Sequence, residues 1–167
     1  MIRVVVDDIA FVPADAVVRP ATTTLEPTAA ALRHLEQVGG PAFWRQLHVQ
    51  QPLAVGAAVV TAGGELAAEF VIHAVIRSVT EPVSADSVRR ALTSAMQRAV
   101  DWQLARIAVP PLGTGAGNLS LEDAARVMID VLDRHTSVSE YPSDVAIVVE
   151  SDADKQAFEF LLKRLPQ

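Results

Sequence analysis

The sequence contains no cysteine, which excludes disulfides, thiolate metal sites and a cysteine nucleophile. Basic residues are in the minority, with 14 Lys and Arg against 20 Asp and Glu and a net charge of −6. An acidic chain has no general attraction for the phosphate backbone of DNA or RNA, so we expect no nucleic-acid partner. No apolar run approaches the roughly 20 residues that cross a bilayer, so we expect no membrane contact.

Two further absences bear on location and on metals. The apolar part of residues 1–8 is too short for a signal peptide, and with the lack of cysteine this favours a cytoplasmic location. The four histidines show no i, i+2 or i, i+4 spacing, and one of them, His73, is interpreted as a core residue. We therefore predict no metal site and no cofactor.

Short runs rich in Val, Ile and Ala alternate with stretches of helical periodicity. At 167 residues the chain has the size of one domain, and residues 1–167 are predicted to form a single unit. Strands are predicted at residues 2–6, 16–18, 57–61, 70–76, 107–109 and 145–149. Several are apolar on both faces, which is typical of strands covered by helices on both sides. The predicted class is α/β, with a mixed, mostly parallel central sheet.

Amphipathic stripes predict four helices between and after these strands. Ser84, Ser120 and either Ser151 or Asp152 are the expected N-caps of three of them. The remaining helix is expected at residues 28–38, with Pro27 in its first turn and Gly39-Gly40 at its end.

The richest motif is Leu112-Gly113-Thr114-Gly115-Ala116-Gly117-Asn118, which joins a predicted strand to the helix that Ser120 caps. Alternate glycines let backbone N–H groups approach an anion, and the helix N-terminus adds partial positive charge. The loop predicts a phosphate or diphosphate site. It lacks the Gly-Lys-Ser/Thr of a Walker A loop and the G-x-G-x-x-G of a dinucleotide fold.

The order of five segments resembles the macro domain. They are Asp7-Asp8-Ile9, Ala14-Asp15-Ala16-Val17-Val18, residues 56–61, Phe70-Val71-Ile72-His73-Ala74-Val75 and residues 107–115. The resemblance implies a three-layer α/β/α fold with a cleft sized for ADP-ribose. It also implies that Asp8 accepts a hydrogen bond from the adenine amino group, that Ile9 lends a backbone N–H, and that the loop from Gly113 to Gly117 holds the diphosphate. The alternative for Asp8 is a purely structural role at a strand end.

One segment departs from the family pattern. Where macro domains have Val-Asn-Ala-Ala-Asn and then a triple glycine, this chain has Val18-Arg19-Pro20-Ala21-Thr22-Thr23-Thr24 followed by residues 25–31. Thr23 or Thr24 is a poor substitute for the missing asparagine. Arg19 is interpreted either as a bidentate ligand for a phosphate or carboxylate or as a surface residue at a strand end. The candidate ligand-binding residues are thus Asp8, Ile9, Arg19, Thr23, Leu112, Gly113, Thr114, Gly115, Ala116, Gly117 and Asn118.

Three functional hypotheses follow. The first is a binding module for ADP-ribose or a related nucleotide diphosphate, with an ADP-ribosylated protein as a further possible partner. The second is a metal-independent ADP-ribosyl hydrolase that activates water through the substrate phosphate, Asp15 or Thr23, and the altered segment disfavours it. The third is a degenerate scaffold that contacts another protein or a second copy of itself.

Overall fold

The computed structural model describes residues 1–29, 31–115 and 119–166, and these form six strands and four helices. The strands are β1 (Ile2–Val6), β2 (Ala16–Thr22), β3 (Ala58–Ala62), β4 (Phe70–Arg77), β5 (Arg106–Val109) and β6 (Asp144–Val149). The helices are α1 (Ala31–Trp44), α2 (Ala85–Asp101), α3 (Leu121–Val138) and α4 (Asp152–Leu162). The six predicted strands are confirmed, although β2 runs four residues further than predicted.

The strands form one sheet in the order β1-β6-β5-β2-β4-β3. The β1–β6, β6–β5, β5–β2 and β2–β4 pairs are parallel, and only the edge strand β3 is antiparallel to its neighbour. The mixed, mostly parallel sheet predicted from the sequence is therefore confirmed. Because five strands point the same way, their carboxyl ends meet at one edge of the sheet.

Helices cover both faces of the sheet, because strand residues alternate between the faces. On one face α2, α3 and α4 pack over side chains such as Val18, Ile72 and Ile147. On the other, Leu35 and Phe43 of α1 pack with the alternate strand residues of the sheet. The fold is the expected three-layer α/β/α sandwich. None of the helices in the described ranges is long and apolar enough to cross a membrane.

Serine side chains begin three of the helices, as predicted. The hydroxyl groups of Ser84, Ser120 and Ser151 accept hydrogen bonds from backbone N–H groups three residues on. The prediction for α1 was wrong at its start, because Pro27 pairs with Ala21 in an isolated bridge and the helix begins at Ala31. At its other end Gly40 adopts φ 76° and kinks the helix before a last turn that ends at Trp44.

Pro20 lies inside β2, beyond the end at Val18 that was predicted from the sequence. A proline inside a central strand normally removes a ladder hydrogen bond. In the structure β2 pairs with β5 only at Ala16 and Val17, while its pairing with β4 continues to Thr22. Pro20 therefore lies where β2 has already parted from β5, and the two strands leave an opening at the carboxyl edge.

Candidate functional site

A cleft of about 610 Å³ occupies this opening. One end is formed by Asp7, Asp8 and Ile9 after β1, and the other by the loop after β5. Thr28 and Ala29, which follow β2, form the facing wall. The cleft therefore lies at the carboxyl edge of the parallel strands, where α/β proteins usually bind their ligands.

The glycine-rich loop is closed at its base. The backbone N–H of Leu119 donates to the carbonyl oxygen of Gly113 over 2.9 Å, and α3 begins two residues later. Leu121, the first residue of α3, lines the cleft, so the positive end of this helix faces the cavity. Gly113 has φ 82°, and a Cβ there would lie 2.8 Å from Val83 Cγ1. This position therefore requires glycine both for its backbone angle and for space.

The candidate residues of this loop divide into three groups. Gly113, Thr114 and Gly115 line the cleft as expected. Leu112 does not, because its side chain is fully buried in the core on the α2–α4 face and its N–H lies 3.3 Å from the sulfur of Met128. Its assignment as a ligand contact is therefore corrected to a packing role. Ala116, Gly117 and Asn118 lie outside the described residues.

Asp8 and Ile9 line the opposite end of the cleft. One carboxylate oxygen of Asp8 accepts a hydrogen bond from the N–H of Ala10 at 3.0 Å, which fixes the turn after β1. The other lies 3.0 Å from Nε2 of His34 on α1. A carboxylate has about four acceptor sites, so Asp8 retains capacity for a ligand donor beside both contacts. The structural role and the binding role of Asp8 are compatible.

The two ends of the cleft differ in charge. Asp7, Asp8, Glu150 and Asp154 lie at the β1–β6 end, whereas no lysine or arginine is among the described lining residues. An anion would therefore be held by backbone N–H groups and the α3 N-terminus, away from the carboxylates. Within the described ranges, no three Asp, Glu or His side chains are grouped closely enough to hold a metal ion.

Arg19 does not lie in a ligand loop. It is a central residue of β2 whose side chain is fully buried beneath α1. Its guanidinium forms an ion pair with Glu36, donates to the carbonyl oxygen of Leu25 at 2.8 Å and lies 3.2 Å from Nδ1 of His73. Burial lowers the pKa of Arg19, and the hydrogen bond and charge of Glu36 oppose that shift. Both interpretations made from the sequence were wrong: Arg19 is neither in the cleft nor on the surface.

His73 completes this buried cluster. Burial and the charge of Arg19 lower its pKa to about 3, so the imidazole is neutral at physiological pH. Since Arg19 can only donate, Nδ1 of His73 is the acceptor and Nε2 carries the proton that bonds Thr61 Oγ1 at 2.8 Å. The ring also stacks on Phe43 with centroids 5.9 Å apart. The structure supports the predicted core role of His73.

The segment after Arg19 folds back on itself. The Leu25 N–H donates to the Thr22 carbonyl at 2.9 Å, and the Thr22 N–H donates to the Glu26 carbonyl at the same distance. Leu25 adopts φ 65° in this turn, and its side chain is buried. Thr23 lies at the turn, outside the described lining of the cleft, so its expected place in the ligand site is corrected.

The residues considered for water activation also lie elsewhere. Asp15 precedes β2 and is therefore at the amino edge of the sheet, opposite the cleft. Its Oδ2 accepts hydrogen bonds from the N–H groups of Ala105 and Arg106 at 3.1 and 2.8 Å. Its role is to join two loops at that edge.

The sequence did not identify several of the residues that line the cleft. They are Pro20, Thr28, Ala29, Leu32, His34, Pro110, Pro111, Leu121, Val148, Glu150 and Asp154. Pro110, Pro111, Leu121 and Glu150 adjoin ends of a predicted strand or helix, so their places at the carboxyl edge were available from the order of elements. His34 could not be found in this way, because its access to the cleft depends on how α1 is rotated over the sheet.

The fold and cleft define an α/β protein with a cleft at the carboxyl edge of its sheet, bordered by a glycine-rich loop and the N-terminus of α3. Residues 18–128, more than half of the chain, match the model of the family described as "Macro domain". The chain belongs to the macro domain family.

The chain is also similar to several known proteins. An uncharacterised protein of Mycobacterium tuberculosis is 30% identical over 151 residues, which are 90% of this chain and 42% of that protein. The chain thus spans less than half the length of this relative. An uncharacterised protein of Aquifex aeolicus is 30% identical over 95% of this chain and 93% of its own length. The macrodomain of Trypanosoma brucei, solved in complex with ADP-ribose, superposes with a TM-score of 0.86 at 19% identity over 96% of this chain and 68% of that one.

Proposed function

We propose that this chain binds ADP-ribose or a closely related nucleotide diphosphate and acts as a recognition module. The observation that carries the proposal is one continuous cleft that joins Asp8 to the loop at Gly113 to Gly115. In this arrangement the base lies beside Asp8 and Ile9, and the diphosphate lies against the glycine-rich loop.

The charge distribution supports this orientation. The diphosphate would be repelled by the four carboxylates at the β1–β6 end, whereas an amino group on the base would be attracted to them. At the other end of the cleft, the glycine-rich loop and the α3 N-terminus would attract the diphosphate. A ligand with a donor at one end and a diphosphate further along matches both ends of the cleft.

The wall of the cleft that contains Ala29 offers a position at which the placement of the diphosphate can be tested. Ala29 lies across the mouth of the cleft from Gly115, since a Cβ on Gly115 would lie 3.7 Å from the Cβ of Ala29. A carboxylate at position 29 would face the diphosphate, while an amide of the same size would not repel it. Ala29→Glu and Ala29→Gln therefore separate charge from bulk.

Calorimetric titration with ADP-ribose would measure the effect. We expect the parent protein to bind and Ala29→Glu to bind at least about tenfold more weakly than Ala29→Gln, from repulsion in a poorly solvated cleft. Equal affinities of the two variants would contradict the placement of the diphosphate. No binding to the folded parent protein would overturn the proposed function itself and would favour the scaffold hypothesis.

A further inference from the structure

A second cavity lies beyond the cleft, on the other side of segment 26–29, and extends along α1. It is a groove of about 590 Å³ that we call the distal groove, and Glu26, Arg33, Glu36, Trp44 and Arg77 form its principal charged and aromatic surface. Arg77 ends β4, Glu26 follows β2, and the other three belong to α1. The segment 26–29 separates the two cavities: Glu26 lines the groove and Ala29 lines the cleft.

The distal groove carries a local positive charge on an acidic protein. Arg33 and Arg77 form no ion pair with any residue in the described parts of the chain. The carboxylate of Glu36 is paired with the buried guanidinium of Arg19, which leaves Glu26 as the unpaired acid among the lining residues. The charge that remains, two arginines against one glutamate, favours an anionic occupant.

Trp44 adds a fixed aromatic surface to this groove. Its indole N–H donates to the backbone carbonyl of Glu36, which holds the ring in place. The side chain nevertheless remains 47% exposed. A held aromatic ring beside arginines is the combination most often responsible for affinity in protein and peptide recognition.

The orientation of the ligand links the two cavities, and this step rests on the proposed function. With the base beside β1 and the diphosphate beside β5, the rest of the ligand points towards β2. The next strand in the sheet is β4, and the part of the distal groove that holds Glu26 and Arg77 lies at the carboxyl ends of β2 and β4. A chain attached to the far end of the nucleotide would therefore leave the cleft over segment 26–29 and meet Arg33 and Arg77.

We propose that the distal groove binds an acidic peptide segment to which the nucleotide is attached. The partner is then an ADP-ribosylated protein with aspartate or glutamate residues next to the modified side chain. The cleft recognises the nucleotide, and the groove selects the sequence that carries it by pairing carboxylates with the two arginines. Binding through both sites raises affinity because the second contact becomes intramolecular.

The experiment compares three probes by calorimetry. They are free ADP-ribose, a synthetic peptide with ADP-ribose on one serine between aspartates, and the same peptide with glutamines in place of the aspartates. We expect the acidic peptide to bind about tenfold more tightly than the glutamine peptide at low salt, and the advantage to shrink as salt rises. Equal affinity of the two peptides would overturn the inference.

Two double variants locate the effect. Arg33→Gln with Arg77→Gln should abolish the preference for the acidic peptide and leave the affinity for free ADP-ribose within about twofold, since neither residue lines the cleft. Arg89→Gln with Arg134→Gln makes the same change in net charge at exposed arginines that pair with Asp130, and it should keep the preference. A preference that survives the first pair of changes would contradict the assignment to the groove.

The binding measurements distinguish failure of the proposed function from failure of the inference about the distal groove. If no probe binds through ADP-ribose, the unmodified acidic peptide at high concentration tests the groove alone. Binding that depends on Arg33 and Arg77 would support a peptide site, and no binding would overturn it. Tighter binding of a short single-stranded oligonucleotide than of the acidic peptide would also overturn it, because Trp44 could then serve as a base-stacking surface.

Discussion

Two segments reach the carboxyl edge of the sheet from neighbouring strands but differ in what they contribute to the cleft. One is the glycine-rich loop after β5, and the other is the stretch from Arg19 to Thr24 in and after β2. The β5 loop turns its backbone to the cleft through Gly113 and Gly115. The β2 stretch contributes only Pro20 to the described cleft lining, because Arg19 points into the core and the turn at Thr22 to Thr24 lies outside that lining. One segment lines the cleft, and the other anchors α1 and its own loop to the sheet.

Arg19 shows that a changed residue in a ligand motif can take a structural role. Arg19 stands where the family pattern has its first asparagine, and the structure uses it to bond the Leu25 carbonyl and Glu36. The bonds hold segment 22–29 and α1 in position, so Thr28 and Ala29 can still form a wall of the cleft. The rebuilt segment therefore supports the site indirectly, through the position of its wall.

Removing the partner of Arg19 should have the largest effect on stability. Glu36→Ala leaves a fully buried guanidinium without a counter-charge, and we expect a loss of about 3–5 kcal/mol in the free energy of unfolding, measured by urea denaturation. Replacing both partners, by Arg19→Met with Glu36→Leu, should cost clearly less, because no charge is left in the core. Asp130→Ala, which breaks exposed ion pairs, should change stability by about 1 kcal/mol or less. If Glu36→Ala lost no more stability than Asp130→Ala, the anchoring role of Arg19 would be contradicted.

The two described glycines of the β5 loop, Gly113 and Gly115, should respond unequally to alanine. Both have a positive φ, which costs a side chain about 1–3 kcal/mol. At Gly113 the new Cβ also meets Val83 and Val88 at 2.8 and 3.0 Å, which adds about 1–3 kcal/mol of overpacking. We therefore expect Gly113→Ala to be the more destabilising change in thermal unfolding, and equal losses would show that the loop can shift to relieve the contact.

The neutral state of His73 should make stability depend on pH. Its pKa is about 3 in the folded chain and about 6.5 when unfolded, so the unfolded state binds more protons between these values. Stability contributed by the neutral imidazole is complete above about pH 6.5 and falls as the pH drops towards 3, by up to about 1.4 kcal/mol per unit. Unfolding measured from about pH 4 to 7 should show a shallower slope for His73→Gln than for the parent chain. Parallel curves would contradict the assignment.

Neutralising Asp8 should test the other end of the cleft. Asp8→Asn keeps the size of the side chain but weakens its acceptor for a base amino group, and we expect ADP-ribose affinity to fall about tenfold. Stability should change little, because the side chain is substantially exposed. Asp144→Asn is the matched control, since it makes the same change at a carboxylate that pairs with Arg3 and is not among the described lining residues of the cleft. Unchanged affinity in Asp8→Asn would assign this carboxylate to the turn after β1 alone.

The sequence by itself determined most of the fold. Apolar runs located all six strands, and serine caps located the starts of α2, α3 and α4, because both signals depend on short-range spacing and local hydrogen bonding. The same local reasoning identified the loop at Gly113 to Gly115, where alternate glycines precede a helix. Asp8 and Ile9 became candidates only through the resemblance to the macro domain, and both line the cleft.

Only the tertiary structure decided that Arg19, Thr23 and Leu112 lie outside the described cleft lining and that His34 lies in it. Arginine at the edge of an apolar run normally indicates a surface, because burial of a charge requires a partner. That partner, Glu36, lies 17 residues away on α1, and His73 lies on the neighbouring strand. The spacing of Arg19, Glu36 and His73 along the chain does not predict that they contact one another, because the contact depends on strand order and on the rotation of α1 over the sheet.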